Sequence, residues 1–161
     1  MKAFSITFIM ALFSLSLAAQ KQDLRKMEKN NRQEYLIKLA REVANNFGPE
    51  WCNKGKLVPQ VDDTLTVFKV YGKESPEVKK NEGRLYQRVT LNYDNATQKK
   101  IGWEYAAIVY VWEDDGEPFA VVFGNNYGKN FHFISYQEWL KMGIRKEDQS
   151  KYEEMDFGTP L

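Results

Sequence analysis

Between residues 103 and 126 the chain carries two β-rich runs, Trp-Glu-Tyr-Ala-Ala-Ile-Val-Tyr-Val-Trp and Phe-Ala-Val-Val-Phe-Gly-Asn-Asn, separated by Glu-Asp-Asp-Gly-Glu-Pro. Asp115-Gly116 between such runs predicts a β-hairpin closed by a two-residue type I′ turn, because that turn needs positive φ at both central residues. The turn would place Trp112 opposite Phe119, Tyr110 opposite Val121 and Ile108 opposite Phe123 on one bulky face. Val111, Val109 and Ala107 would then face Ala120, Val122 and Gly124 on a surface of small residues. Apolar positions on both faces predict a hairpin central in its sheet. Pro118 fits this register in a non-hydrogen-bonded pair, where no N–H is needed.

The other strong period is helical. Leu36, Leu39, Ala40, Val43, Ala44 and Phe47 fall on one stripe, with charged residues opposite. Asn31 with Glu34 reads as the N-terminal cap and Gly48-Pro49 as the stop. Ahead of the helix, residues 20–33 are polar apart from Leu24 and Met27, the pattern of a frayed first turn or a flexible lead. Residues 50–63 read as a connection, 64–71 as a first strand and 73–82 as an exposed charged loop. Leu85, Val89, Leu91 and Tyr93 alternate with Tyr86, Arg88, Thr90 and Asn92, with Gln87 the polar member of the inward set, so a half-buried strand is expected. A turn over 94–100 leads into the hairpin and completes a three-stranded meander. After the loop Asn125-Asn126-Tyr127-Gly128, a last strand is expected over 131–136. A capping box of Ser135 and Glu138 then starts a short helix with Trp139, Leu140 and Met142, ended by Gly143. The tail at 145–161 is mostly charged, with Tyr152, Met155 and Phe157 as its apolar anchors.

Residues 1–19 change the picture of where the chain works. Lys2, an apolar run to Leu17 and small residues at Ala18 and Ala19 make the pattern of a secretory signal peptide, too short for comfortable membrane spanning and without a cysteine for lipid attachment. The expected organisation is a signal over 1–19 and one domain over 20–161, with a periplasmic or extracellular address and no membrane span after cleavage. The whole chain holds 23 Lys and Arg against 22 Asp and Glu, and loss of Lys2 with the signal makes the two sets equal. Such a balance gives no general attraction for nucleic acid. A single cysteine, Cys52, excludes an internal disulfide.

Candidate chemistry is sparse. Cys52 and His132 are the one thiol–imidazole pair available for nucleophilic catalysis, yet Cys52 follows a helix C-terminus, where the dipole does not favour a thiolate. A buried thiol and an ordinary strand histidine are the plainer alternatives. Glu113, Asp114, Asp115 and Glu117 cluster at the hairpin tip without EF-hand spacing, and one Cys and one His cannot supply the usual zinc ligands, so no metal and no cofactor is expected. Asn95-Ala96-Thr97 matches a glycosylation sequon at a turn. The aromatic surplus is more informative. Tyr86, Tyr110, Trp112, Phe119 and Phe123 would share the bulky face with Arg88, beside the polar loop of Asn125, Asn126 and Tyr127. This set lines a ligand or partner surface if no helix covers it, or a core if the terminal helix does.

A helix followed by about five mostly antiparallel strands and a short C-terminal helix predicts an α+β two-layer domain. Its element order resembles the cystatin-like and nuclear-transport-factor-like folds, an architectural likeness that does not carry a function. The function expected is an exported binding module for a small ligand or an extracytoplasmic protein, as a monomer or dimer. The alternatives are a small hydrolase-type pocket enzyme using Cys52 and His132 or buried carboxylates, and a secreted inhibitor or immunity-like protein acting through its loops.

Overall fold

A computed structural model describes residues 21–143, so the signal-like segment and the charged tail lie outside the described residues. The elements are α1 (Lys29–Phe47), β1 (Leu57–Val61), β2 (Thr66–Val67), α2 (Pro76–Lys79), β3 (Leu85–Tyr93), α3 (Asn95–Ile101), β4 (Tyr105–Trp112), β5 (Pro118–Phe123), β6 (Gly128–Asn130) and α4 (Tyr136–Lys141). The sheet runs β1-β3-β4-β5-β6 with every pairing antiparallel, and β2 also pairs with β3. The architecture is the expected α+β arrangement of one long helix on an antiparallel sheet.

All six residues of the predicted stripe on α1 are buried. They pack on Val89 and Leu91 of β3, Ala107, Val109 and Val111 of β4, and Val121 of β5, the branched and small side chains that a helix can approach closely. Phe131, Tyr136 and Trp139 close the same layer around Phe47 at ring separations of 5.3, 5.8 and 6.5 Å. The Lys129 ammonium lies 3.4 Å from the centroid of Trp139. Burial pushes that amine down to about 8, while the ring quadrupole beneath it favours the charged form. The capping box of α4 is present: the Ser135 hydroxyl accepts from the Glu138 N–H at 3.3 Å, and the Glu138 carboxylate accepts from the Ser135 N–H at 2.9 Å. Ser135→Ala is expected to cost about 1 kcal/mol in urea unfolding. A loss below a few tenths would show that Glu138 alone suffices.

The hairpin forms, but in a register shifted by one residue from the expected one. Val109 pairs with Val121, Tyr110 with Ala120, Ile108 with Val122 and Ala107 with Phe123, and an irregularity follows between Tyr110 and Val111. The cause is the loop. Gly116 has φ +67° while Asp115 keeps negative φ, so a type I′ turn on these two residues does not form. A longer loop is closed instead by Gly116 N–H to Trp112 O at 3.0 Å and Trp112 N–H to Glu117 O at 2.9 Å. The slip carries Phe123 to the helix face, against its expected place among the aromatics. It leaves Phe119 and Ala120 together on the opposite face, as a bulge does.

Other boundaries moved for identifiable reasons. The first strand is 57–61 rather than 64–71. Pro59 sits on that sheet edge, where its missing N–H points away from β3. Of the expected strand only Thr66–Val67 pairs, and Leu65 and Val67 stay exposed. Residues 94–100 form α3, because Asp94 caps it through the Thr97 N–H at 2.9 Å and Gly102 ends it at φ +83°. The expected strand at 131–136 is replaced by β6 at 128–130. The 73–82 segment contains α2 and buries Asn81.

The lead before α1 is docked on the hairpin tip rather than loose. Gln22 N–H reaches Asp115 O at 2.8 Å, Leu24 N–H reaches Glu113 O at 2.9 Å, and Leu24 is fully buried. The Tyr35 hydroxyl donates to Gly116 O at 3.0 Å. A Cβ on Gly116 would stand 2.7 Å from Gln22 O, so glycine is required there by the strap as well as by φ. These tertiary contacts explain why α1 begins at Lys29, earlier than the Asn31 cap expected, with Glu28 making no side-chain cap.

Candidate functional site: the open face of the sheet

Strand alternation sorts the sheet into two faces. The face away from α1 carries a row of Gln60, Thr90, Ile108, Val122 and Gly128, paired strand to strand. Beside it lie Val58 with Asn92, then Arg88, Tyr110, Ala120 and Asn130, then Thr66, Tyr86 and Trp112. Neither α1 nor α4 covers these rows, since both pack on the opposite side.

At the hairpin end the rings are already packed. Trp112 stacks on Phe119 with centroids 3.8 Å apart, and Phe68 meets both edge-on at 5.2 and 5.6 Å. Phe68 N–H to Arg84 O at 2.8 Å and Gly83 N–H to Phe68 O at 2.9 Å tie the ends of the segment between them. The Arg84 guanidinium lies 4.2 Å from the Trp112 ring and pairs with Asp114 and Asp115. Burial alone would lower the pKa of Arg84, but the hydrogen bonds and charges of the two aspartates outweigh it and raise it. Tyr86 and Tyr110 form the outer rim of this cluster, half-buried and 5.8 Å apart at 66°. Burial raises the Tyr110 hydroxyl. Arg88 is exposed and its Nε donates to Asp62 at 2.8 Å, which neutralises it.

Of the residues singled out from sequence, Tyr86, Arg88 and Tyr110 stand together on this face. Trp112 is there but buried by Phe68, Phe119 and Arg84. Phe123 lies in the helix-side core. Asn125 and Tyr127 belong to the β5–β6 loop, where the Asn125 side chain accepts from the Tyr127 N–H at 3.3 Å, Asn126 takes φ +66° and Tyr127 is 63% exposed. The sequence did not single out Phe68 or Arg84 as site residues, since each depends on closure of the segment 69–83, which no local pattern announces. Trp103 was passed over inside the hairpin. It is 38% exposed and its ring is 6.1 Å from that of Trp51. A Cβ on Gly124 would stand 2.9 Å from the Trp103 Cβ, and the Trp51 ring that Trp103 meets packs against the helix-side core rather than on the open face.

The thiol and the imidazole are not brought together. Cys52 is fully buried in the helix-side core, with Sγ donating to Ala106 O at 3.3 Å. His132 packs against Phe68, Phe119 and Trp112 on the other face, at 5.5, 5.5 and 6.3 Å. Burial, then Lys80 and Arg84, lowers the His132 imidazole to about 4. The buried carboxylate of Glu113 pairs with Arg32 at 3.7 Å. Cys52 in the native protein is expected to react with a thiol reagent at least about 100-fold more slowly than in urea. Comparable rates would place the thiol at the surface.

The chain matches no family model, no curated protein and no solved structure. Among the described residues no group of three or more His, Cys, Asp or Glu is placed to hold a metal ion, and no helix is long and apolar enough to cross a membrane.

Proposed function

We propose that the protein is an exported binding module that recognises its partner with the open face of the sheet. The supporting observation is the one-sided helix layer: α1 and α4 cover one face, while Tyr86, Arg88, Thr90, Tyr110, Ile108 and Val122 remain at the surface of the other. Half-buried aromatic and branched side chains set among polar ones are the composition of a recognition surface. The signal-like segment supports export. The separation of Cys52 and His132 by the sheet removes the most direct support for a hydrolase that uses them, and the docked N-terminal strap leaves the β5–β6 loop as the freer of the two loops through which an inhibitor would act.

Photo-crosslinking in the host tests this, with a benzophenone side chain placed at Thr90, at Tyr127 or at the exposed Lys38 of α1. Adducts from position 90 and none from position 38 are the expected result. Adducts from 127 alone would overturn the open-face reading in favour of a loop-acting inhibitor. Equal labelling at 90 and 38, or none at 90, would also overturn it.

A further inference from the structure

We infer that the ligand of the open face is a neutral oligosaccharide. The inference rests on the open-face reading and adds the chemistry of what is bound. The face is uncharged in effect: Arg88 is its one cation in these rows and Asp62 holds it at 2.8 Å. Nucleic acid and anionic polymers would need unpaired Lys or Arg, and the chain as a whole has 23 basic against 22 acidic side chains. What the face offers instead is amide and hydroxyl groups beside rings. Gln60, Thr90, Asn92 and Asn130 fall on the same side of the sheet as Tyr86 and Tyr110, and the Asn92 amide meets Gln60 only at 3.4 Å, which leaves both with hydrogen-bonding capacity.

Sugars match this pattern. Their hydroxyls pair with amides and hydroxyls, and the C–H faces of their rings lie on aromatic side chains. Five strands at a spacing of about 4.8 Å make the face about 19 Å across, which suits a chain of several sugar rings better than a single one.

The test is binding of the purified protein to an array of neutral glycans spanning hexoses, pentoses and N-acetylated sugars, followed by backbone amide titration with the best of them. The expected result is a dissociation constant of about 10 µM to 1 mM, with shifts confined to residues 58–60, 90–92, 108–110 and 122, and little change when salt is raised. Thr90→Glu should weaken binding at least tenfold without altering the melting temperature. No binding across the array would overturn the inference, as would shifts centred on the outer surface of α1. The two failures can be told apart. If position 90 still crosslinks, to protease-sensitive and periodate-resistant adducts, the open face binds a protein and only the carbohydrate assignment falls. If position 90 captures nothing, the open-face reading falls with it.

Discussion

Trp112→Ala is expected to destabilise the protein by about 3–5 kcal/mol, the usual range for removing a large aromatic from a packed site. Trp112 is only 4% exposed, yet it lies outside the helix-side core. Its partners are Phe119 stacked at 3.8 Å, Phe68 edge-on at 5.2 Å and Arg84 above the ring at 4.2 Å. Truncation would leave a void between three groups that cannot all close on it. Phe119 is fixed by the bulge in β5 and Arg84 by Asp114 and Asp115. The guanidinium would also lose a ring contact worth about 0.5–2 kcal/mol. Urea unfolding with an unchanged m-value measures the loss. A loss below about 1 kcal/mol would mean that the segment ending at Arg84 lies loosely on the sheet, and that the rings beneath it are available to a ligand.

How far an element is legible in the chain follows the range of the interactions that form it. Several signals confined to one turn or one stripe were legible, although the Asn31 cap and the Asp94–Gly102 bounds of α3 were misread. The α1 stripe, the Gly48 stop, the Ser135–Glu138 box and Gly143 at φ +65° all lie where their local chemistry puts them. Asp115-Gly116 predicted a hairpin correctly and its register wrongly, because the dipeptide allows either a two-residue or a longer loop. The docked strap at Gln22 and Leu24 bonds to the longer one. That single slip decided the fate of Phe123, since one residue of register exchanges the faces of a strand. Residues 64–71 have the composition of a strand, but Phe68 is spent on covering Trp112 and Phe119, and β1 and β2 share β3 as their partner. The site was legible to the same depth. Tyr86, Arg88 and Tyr110 follow from alternation alone, whereas Phe68 and Arg84 arrive by loop closure.

His132 should make the protein lose stability as the pH falls from about 6.5 towards 4. Asn81 fixes the reason. Its Oδ1 accepts from Arg84 at 3.0 Å and its Nδ2 donates to the Glu77 carbonyl at 2.9 Å, so the amide can present only an N–H to His132 Nδ1, 3.4 Å away. Nδ1 must therefore accept, and the neutral tautomer with the proton on Nε2 is the one that fits. Protonation would set donor against donor, among rings and beside Lys80 and Arg84. The folded pKa, lowered to about 4, lies below the ordinary 6.5, so both states are neutral above 6.5 and stability is complete there. Below that the unfolded chain takes up the proton first and stability declines, levelling off near the folded pKa. At pH 5 a fully expressed shift amounts to about 2 kcal/mol, reduced to about 1 kcal/mol because the ring is partly exposed. His132→Phe should remove this slope between pH 7.5 and 5, a window chosen above the range where the capping carboxylates of Asp94 and Glu138 begin to protonate. The chain has one histidine, so its proton resonance reports the folded pKa without assignment. A midpoint near 6.5 with no difference between the two proteins would show that the imidazole is solvated, and that Phe68 and Arg84 do not seal this end of the sheet.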